Sequence, residues 1–356
     1  MTERRKIVTA VPENSETPLE SVRSWVTPNR LFFVRNHFEV PALDLADWRL
    51  HVGGCVGRGR EWTWDELTAL PERTVFATVE CAGNGRSFFN PPGRGNQWTN
   101  GGAGCAEWTG VALADVLKAA GLKSSAKFTG HYGADPHLSG DASKEALSRG
   151  VPMDKAMEQH SLIVWAMNGA PLAHIHGAPV RLVIPGWPGS VSNKWLTRIW
   201  VRDREHDGQG MLGTNYRVAI VPMVPGGKAD DKNFRILESM PTRSIITNPA
   251  NGSGLPAGTR DLALRGAGWA GDLSVRRIDV SIDYGSTWTR TKLKPIRNRY
   301  DWHRWTAALK LPSDGYFELW VRATDSQGHM QPHVAGNWNP QGYGANPMHR
   351  VAILIG

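Results

Sequence analysis

Thr74-Val75-Phe76-Ala77-Thr78-Val79-Glu80-Cys81-Ala82-Gly83-Asn84-Gly85-Arg86-Ser87 is the stretch from which the rest of the chain can be read. Its first six residues are β-branched, aromatic or small, the composition of a strand running into a core. The strand ends at a cysteine, and Gly83-Asn84-Gly85 then turns the chain sharply, because glycine and asparagine tolerate left-handed backbone angles. Arg86 follows at once and places a fixed positive charge near the sulfur. A thiol at a strand end beside a cation favours thiolate, the form that acts as nucleophile or soft metal ligand. On local sequence alone, a buried structural cysteine is an equally good reading.

The 356 residues are enough for two domains with real cores. A hydrophobic content of 40% with 21% charged residues is ordinary for a globular protein. The 16 tryptophans, 39 glycines and 23 prolines point to a β-rich, loop-rich chain rather than a helical bundle. A net charge of +8 invites an anionic partner. The basic residues are scattered singly, with no Lys-rich tail or recognition-helix pattern, so a small anion or phosphate-bearing cofactor is expected and nucleic acid is not. The three cysteines, Cys55, Cys81 and Cys105, form no CxxC pair and no disulfide framework. No apolar stretch is long enough to span a bilayer, and no apolar leader follows the charged N-terminus. The expectation is a cytoplasmic protein without membrane association, or a periplasmic one if the chain is a processed form.

Outward from the cysteine loop, residues 1–30 are polar and proline-spaced and read as a surface arm. Leu31 to Pro41 reads as an apolar strand interrupted by Arg35-Asn36-His37, whose burial beside Phe32 and Phe33 would be costly unless they bind something. Trp48 to Val52 alternates like a strand. Thr63 and Glu66 are spaced as a capping box for a short helix. Pro91 to Gly104 is too glycine-rich for regular structure and suits close approach of a ligand to backbone. Val111 to Gly121 has the apolar spacing of an amphipathic helix with a glycine stop. Ser161 to Asn168 reads as a strand entering an Asn-Gly turn.

His174-Ile175-His176 could supply two zinc ligands, but no further ligand stands at a recognisable spacing. The alternative is that His176 and Arg181 flank a buried strand and reach one anionic ligand. Ser190 to Trp195 adds the hydroxyl of Ser192, the amide of Asn193 and the ammonium of Lys194, donors that suit a phosphate. From about Ser239 the texture becomes short alternating strands divided by turns, as in Arg277 to Asp283, the pattern of an immunoglobulin-like β-sandwich without its cysteine pair.

Seven motifs then carry a resemblance in order: Phe33-Val34-Arg35-Asn36-His37, Glu80-Cys81-Ala82-Gly83-Asn84, Met167 to Leu172, His176 to Arg181, Lys194-Trp195-Leu196, Val280 to Trp288, and Trp338 to Gly342. Together they resemble the signature of the sulfite oxidase family. The resemblance implies an α+β protein. A mixed α/β molybdopterin-binding domain at 31–238 is followed by an immunoglobulin-like dimerisation domain at 239–356. It also implies a molybdenum–molybdopterin cofactor, with no haem expected in this chain. By that likeness Cys81 is the protein ligand to molybdenum. Phe33, Arg35, Asn36, His37, Asp135, His176, Arg181, Ser192, Asn193 and Lys194 hold the pterin and its phosphate.

The implied reaction is oxidation of sulfite to sulfate by oxygen transfer from an Mo(VI) oxo group. Electrons would pass to an external acceptor, a cytochrome c if the enzyme is exported. Arg35 and Arg86 match the family's anion pocket, Trp98 its wall, and Tyr216 the tyrosine near the oxo group. Arginine suits this task because its planar donors stay charged at any working pH. The third pocket arginine falls in Asp301-Trp302-His303-Arg304-Trp305, where the closest register puts His303. Arg304 could serve only by a one-residue slip, which would turn its side chain to the other face. A homodimer is expected. The alternatives are a related enzyme that reduces an S-oxide or nitrate, and a non-catalytic binding protein with Cys81 in its core.

Overall fold

The computed structural model describes residues 3–141 and 144–356. The first domain is built on two sheets. One is antiparallel, with Glu72–Glu80 beside Ala103–Ala112, then Leu162–Met167, which also pairs with Arg181–Val183. The other runs in the order Arg60–Trp62, Leu50–Gly54, Leu196–Arg202, Phe128–Gly133, Arg149–Pro152. Its Leu50–Gly54 and Leu196–Arg202 strands are parallel, and the other pairings are antiparallel. Between the sheets, Leu50, Ile199, Val111 and Ile163 meet Leu113 and Leu117 of the Leu113–Ala119 helix in one buried core. The short Trp64–Thr68 helix carries the expected capping box: Thr63 Oγ1 accepts from Glu66 N, and the Glu66 carboxylate accepts from Thr63 N.

The second domain is the expected sandwich. Arg243–Asn248, Asp261–Trp269, His303–Lys310 and Lys292–Leu293 form one sheet. Ser253–Leu255, His349–Ile355, Gly315–Asp325, Val275–Ser281 and Thr289–Arg290 form the other. Ile246, Leu264 and Trp305 pack against Ile278, Leu319 and Ile353 between them. This is the interdigitated core that alternating strands produce.

Four expectations need correction. The N-terminal arm is not wholly a surface feature: Asn14–Glu16 pairs with both Lys6–Thr9 and Val34–Arg35, and all three of its residues are buried. Its polarity is matched by distant partners, as where the Glu16 carboxylate accepts the Thr99 hydroxyl at 2.7 Å. Leu31 to Pro41 is mostly irregular. A 3-10 turn at Asn29–Leu31 precedes a strand of only two residues, Val34–Arg35, and successive phenylalanines are both buried. The glycine-rich segment feeds a ten-residue strand, Ala103–Ala112, that the sequence reading missed. The following helix therefore starts at Leu113, because Val111 is held in the ladder opposite Ile163.

Candidate active site

Register brings the site together. Gly133 pairs with Leu196, and His131 with Arg149, so Asp135, Arg149 and Lys194 all leave their strands at one end of the second sheet. An isolated bridge from Glu80 to Pro188 joins that end to the end of the Glu72–Glu80 strand, where Cys81 sits. A cavity lies there. Cys81, Phe33, Arg35, Asn36 and His37 line it, as do Asp135 and the run from Ser192 to Lys194, with His176 and Arg181. The residues expected to hold a cofactor are thus brought to one cavity.

The Cys81 loop is tightly held. Cys81 N donates to the Gly102 carbonyl at 2.8 Å, Asn84 N returns to the Cys81 carbonyl at 2.9 Å, and Gly85 takes φ 85°. Tyr216 and Trp195, both lining the cavity, also have left-handed backbone angles, φ 51° and 50°. Such angles are uncommon for bulky side chains and cluster at functional sites.

The cavity has an excess of buried cations. Arg181 is spent on carbonyls, donating from Nη1 to His176 at 3.0 Å and from Nη2 to Ser192 at 3.0 Å. Burial draws its pKa down to about 10. The Lys194 ammonium donates to Asn36 Oδ1 and to the Ile175 carbonyl. Its pKa lies well below the usual ammonium value, from burial and the nearby Arg181 and Arg35 charges. His37 is likewise held well below the ordinary imidazole value, by burial and then the Arg35, Lys194, Arg86 and Arg149 charges. Burial holds His176 near 4, and its Nε2–H donates to the Asn29 carbonyl. Asp135 is the cavity's carboxylate, and burial raises its pKa. An anion in the cavity would relieve this concentration of charge.

Further donors and acceptors await a ligand. Asn36 Nδ2 and Asn193 Oδ1 are buried without a partner among the described residues, a rare condition in a finished site. The Ser192 hydroxyl oxygen accepts from Ile184 N, which leaves its own proton to donate. A soft sulfur, a group of cations and unpaired amide atoms of both kinds fit a metal-bearing, phosphate-bearing heterocycle.

The predicted substrate residues divide. Tyr216 lines the cavity and shares a 2.8 Å hydrogen bond with His37 Nε2. Burial pushes the phenol's pKa up, so it stays protonated. Arg86 donates from Nε to the Gln341 carbonyl and from Nη1 to the Asn96 carbonyl, and its remaining amino group packs over Gly83 of the cysteine loop. Trp98 is not a wall residue: it is fully buried and stands edge-on behind Phe33, ring centroids 6.3 Å apart. His303 and Arg304 lie on a strand of the second domain and do not line the cavity. Arg304 instead donates to the Val22 carbonyl of the N-terminal arm.

Sequence reasoning missed Arg149 and Tyr343. Tyr343 comes from the second domain and stacks on Tyr216 with centroids 4.9 Å apart, while Arg86 lies over its ring and Arg149 over that of Tyr216. No local signal marks Tyr343 as a partner of Tyr216, more than a hundred residues away. Arg149 alone had a signal, as a charge at the head of a buried strand.

Comparison with known proteins gives a family for each part of the chain. Residues 37–210 match the family described as oxidoreductase molybdopterin binding domain, and residues 235–355 match the Mo-co oxidoreductase dimerisation domain. Mitochondrial sulfite oxidase of Rattus norvegicus is 33% identical over 97% of this chain, and sulfite oxidase of Gallus gallus is 32% identical over 95%. The chain spans 64% of the rat enzyme's length and 75% of the chicken enzyme's. The crystal structure of the sulfane dehydrogenase SoxCD from Paracoccus pantotrophus superposes with a TM-score of 0.82 at 28% identity, covering 98% of this chain and 87% of that one.

Proposed function

The chain belongs to the sulfite oxidase family of molybdopterin-binding oxidoreductases, and from that premise we propose that it oxidises sulfite to sulfate at the Cys81 cavity. The observation that carries the reading is a soft sulfur and a group of buried, carboxylate-poor cations facing one cavity. The overall change is sulfite plus water to sulfate, two protons and two electrons. A molybdenum centre bound through the Cys81 thiolate would supply the transferred oxygen and take up the electrons, which leave singly to an external acceptor.

The chain's own residues do the rest. Arg181, Lys194 and Ser192 hold the cofactor's phosphate by charge and hydrogen bonds. Asn36 and Asn193 offer their unpaired amide atoms to the pterin edge. Arg35 draws the oxyanion in, and the free amino group of Arg86 lies against the loop that carries Cys81. Tyr216, protonated and tied to neutral His37, donates a hydrogen bond without bringing negative charge to an anion site. We further propose a homodimer joined through the second domain, with a cytochrome c as acceptor if the chain is exported. Sedimentation giving a monomer mass would exclude the dimer.

The test is metal and pterin analysis of the purified protein together with sulfite turnover on an artificial one-electron acceptor. Molybdenum-loaded protein without sulfite turnover would overturn the reading. Reduction of nitrate or an S-oxide under the same loading would replace it.

A further inference from the structure

We propose that Arg149, which stands behind the cavity lining at Tyr216 and Ser190, supplies a further positive charge to the substrate pocket, a role that rests on the oxyanion reading above. Arg149 is fully buried. Its Nε donates to Ser190 Oγ at 3.2 Å and its Nη1 to the Gly210 carbonyl at 2.8 Å, while Nη2 is buried with no partner. The guanidinium carbon lies 4.4 Å from the centroid of the Tyr216 ring. Both Ser190 and Tyr216 line the cavity, as does Leu147 on the same side of the chain. The side chains of Leu147 and Arg149 both close on Gly210, where a Cβ would come within 2.6 Å and 2.8 Å of them.

Arg243, the other fully buried arginine, is matched by the Glu80 carboxylate at 2.7 Å. Arg149 forms no ion pair with any carboxylate among the described residues. Enclosing a guanidinium without a counter-charge is costly, and an anion held in the adjoining cavity would lower that cost. Arg304 also lacks a carboxylate, but it is turned to the Val22 carbonyl and away from the cavity. With its pKa near 10, Arg149 stays charged at working pH, and its charge reaches His37 on the cavity wall. It acts across the Tyr216 ring as a positioning charge. The cation behind the phenol makes its O–H a stronger donor and raises the positive potential where the oxyanion sits.

The experiment uses the molybdenum-loaded enzyme with Arg149→Gln, Arg149→Met and Arg149→Lys. Sulfate binding to the oxidised protein is measured by calorimetry, alongside sulfite kinetics and molybdenum per chain. Gln keeps a donor for the Gly210 carbonyl and Met keeps the volume, so either neutral variant that folds suffices. The expected result is full molybdenum content, with sulfate Kd and sulfite KM raised about two- to thirtyfold, the range for a buried cation–π contact. The change in kcat should be smaller, and Lys should recover most of the loss. Unchanged sulfate affinity in a loaded neutral variant would overturn the assignment. So would a Lys variant no better than the neutral ones, or molybdenum loss that accounts for the defect. If the parent enzyme neither binds sulfate nor oxidises sulfite, the sulfite reading fails by itself. The same variants titrated with nitrate then decide Arg149: weakened nitrate binding upholds it and unchanged binding overturns it.

Discussion

Glu80 and Arg243 join the two domains directly behind the Cys81 loop, and breaking that pair should loosen both the fold and the site. Arg243 Nε lies 2.7 Å from Glu80 Oε1, with side-chain exposures of 0% and 2%. The Glu80 carboxylate also accepts from Asn84 Nδ2 at 2.9 Å and Trp269 Nε1 at 2.7 Å. Arg243 Nη2 donates to the Asn84 and Ala345 carbonyls. Arg243→Met removes the cation and strands a buried carboxylate one residue from Cys81, a change that costs about 3–5 kcal/mol. For 356 residues the unfolding entropy is roughly 0.75 kcal/mol per kelvin, so Tm should fall by about 4–7 °C if the domains melt together. Circular dichroism melts and molybdenum analysis of the same preparation measure both effects. Glu80→Gln combined with Arg243→Met removes both charges and should recover much of the loss, because the unpaired ion causes most of it. A fall of under about 1 °C with full molybdenum content, or a double variant worse than the sum of the singles, would refute the reasoning.

Three further outcomes are expected. Cys81→Ser should keep its circular dichroism spectrum but lose sulfite turnover, since a hydroxyl is a poor soft-metal ligand; retained turnover would exclude ligation by Cys81. Tyr216→Phe removes one hydrogen bond to His37 and should raise sulfite KM about two- to tenfold in steady-state assays, with the fold intact. Stability should fall as pH drops from about 6.5 toward 4. His131 and His206 are buried with pKa values of about 3 and about 4, chiefly through burial, so the unfolded chain takes up protons there before the folded one. Between the folded and unfolded values two such groups give a slope of roughly 2–3 kcal/mol per pH unit, and the stability they contribute is present in full above the unfolded value and lost on acidification. Denaturant melts at pH 7 and 5 measure it, and His206→Gln should flatten it.

Much of this protein was legible because the signals were local. The strand into Cys81, the Thr63–Glu66 cap and the alternation of Arg277 to Asp283 each follow from neighbours within a few residues. The ordered motifs named residues that the structure gathers at one cavity. What stayed hidden depended on partners far along the chain. Asn14–Glu16 looked like solvated polar sequence because the groups that satisfy it, at Arg35 and Thr99, belong to other segments.

By itself the sequence determined the family and the two-domain order, since those rest on residue types at short spacings. Only the tertiary structure decided which charges face the ligand. Arg86, His303 and Arg304 match or neighbour family positions, yet carbonyls of other segments hold Arg86 and Arg304, and His303 stands on a strand outside the cavity. Arg149, which carries no motif, is placed behind Tyr216 by the pairing of two strands. A guanidinium reaches several ångströms from its backbone, so its direction is set by the packing around it.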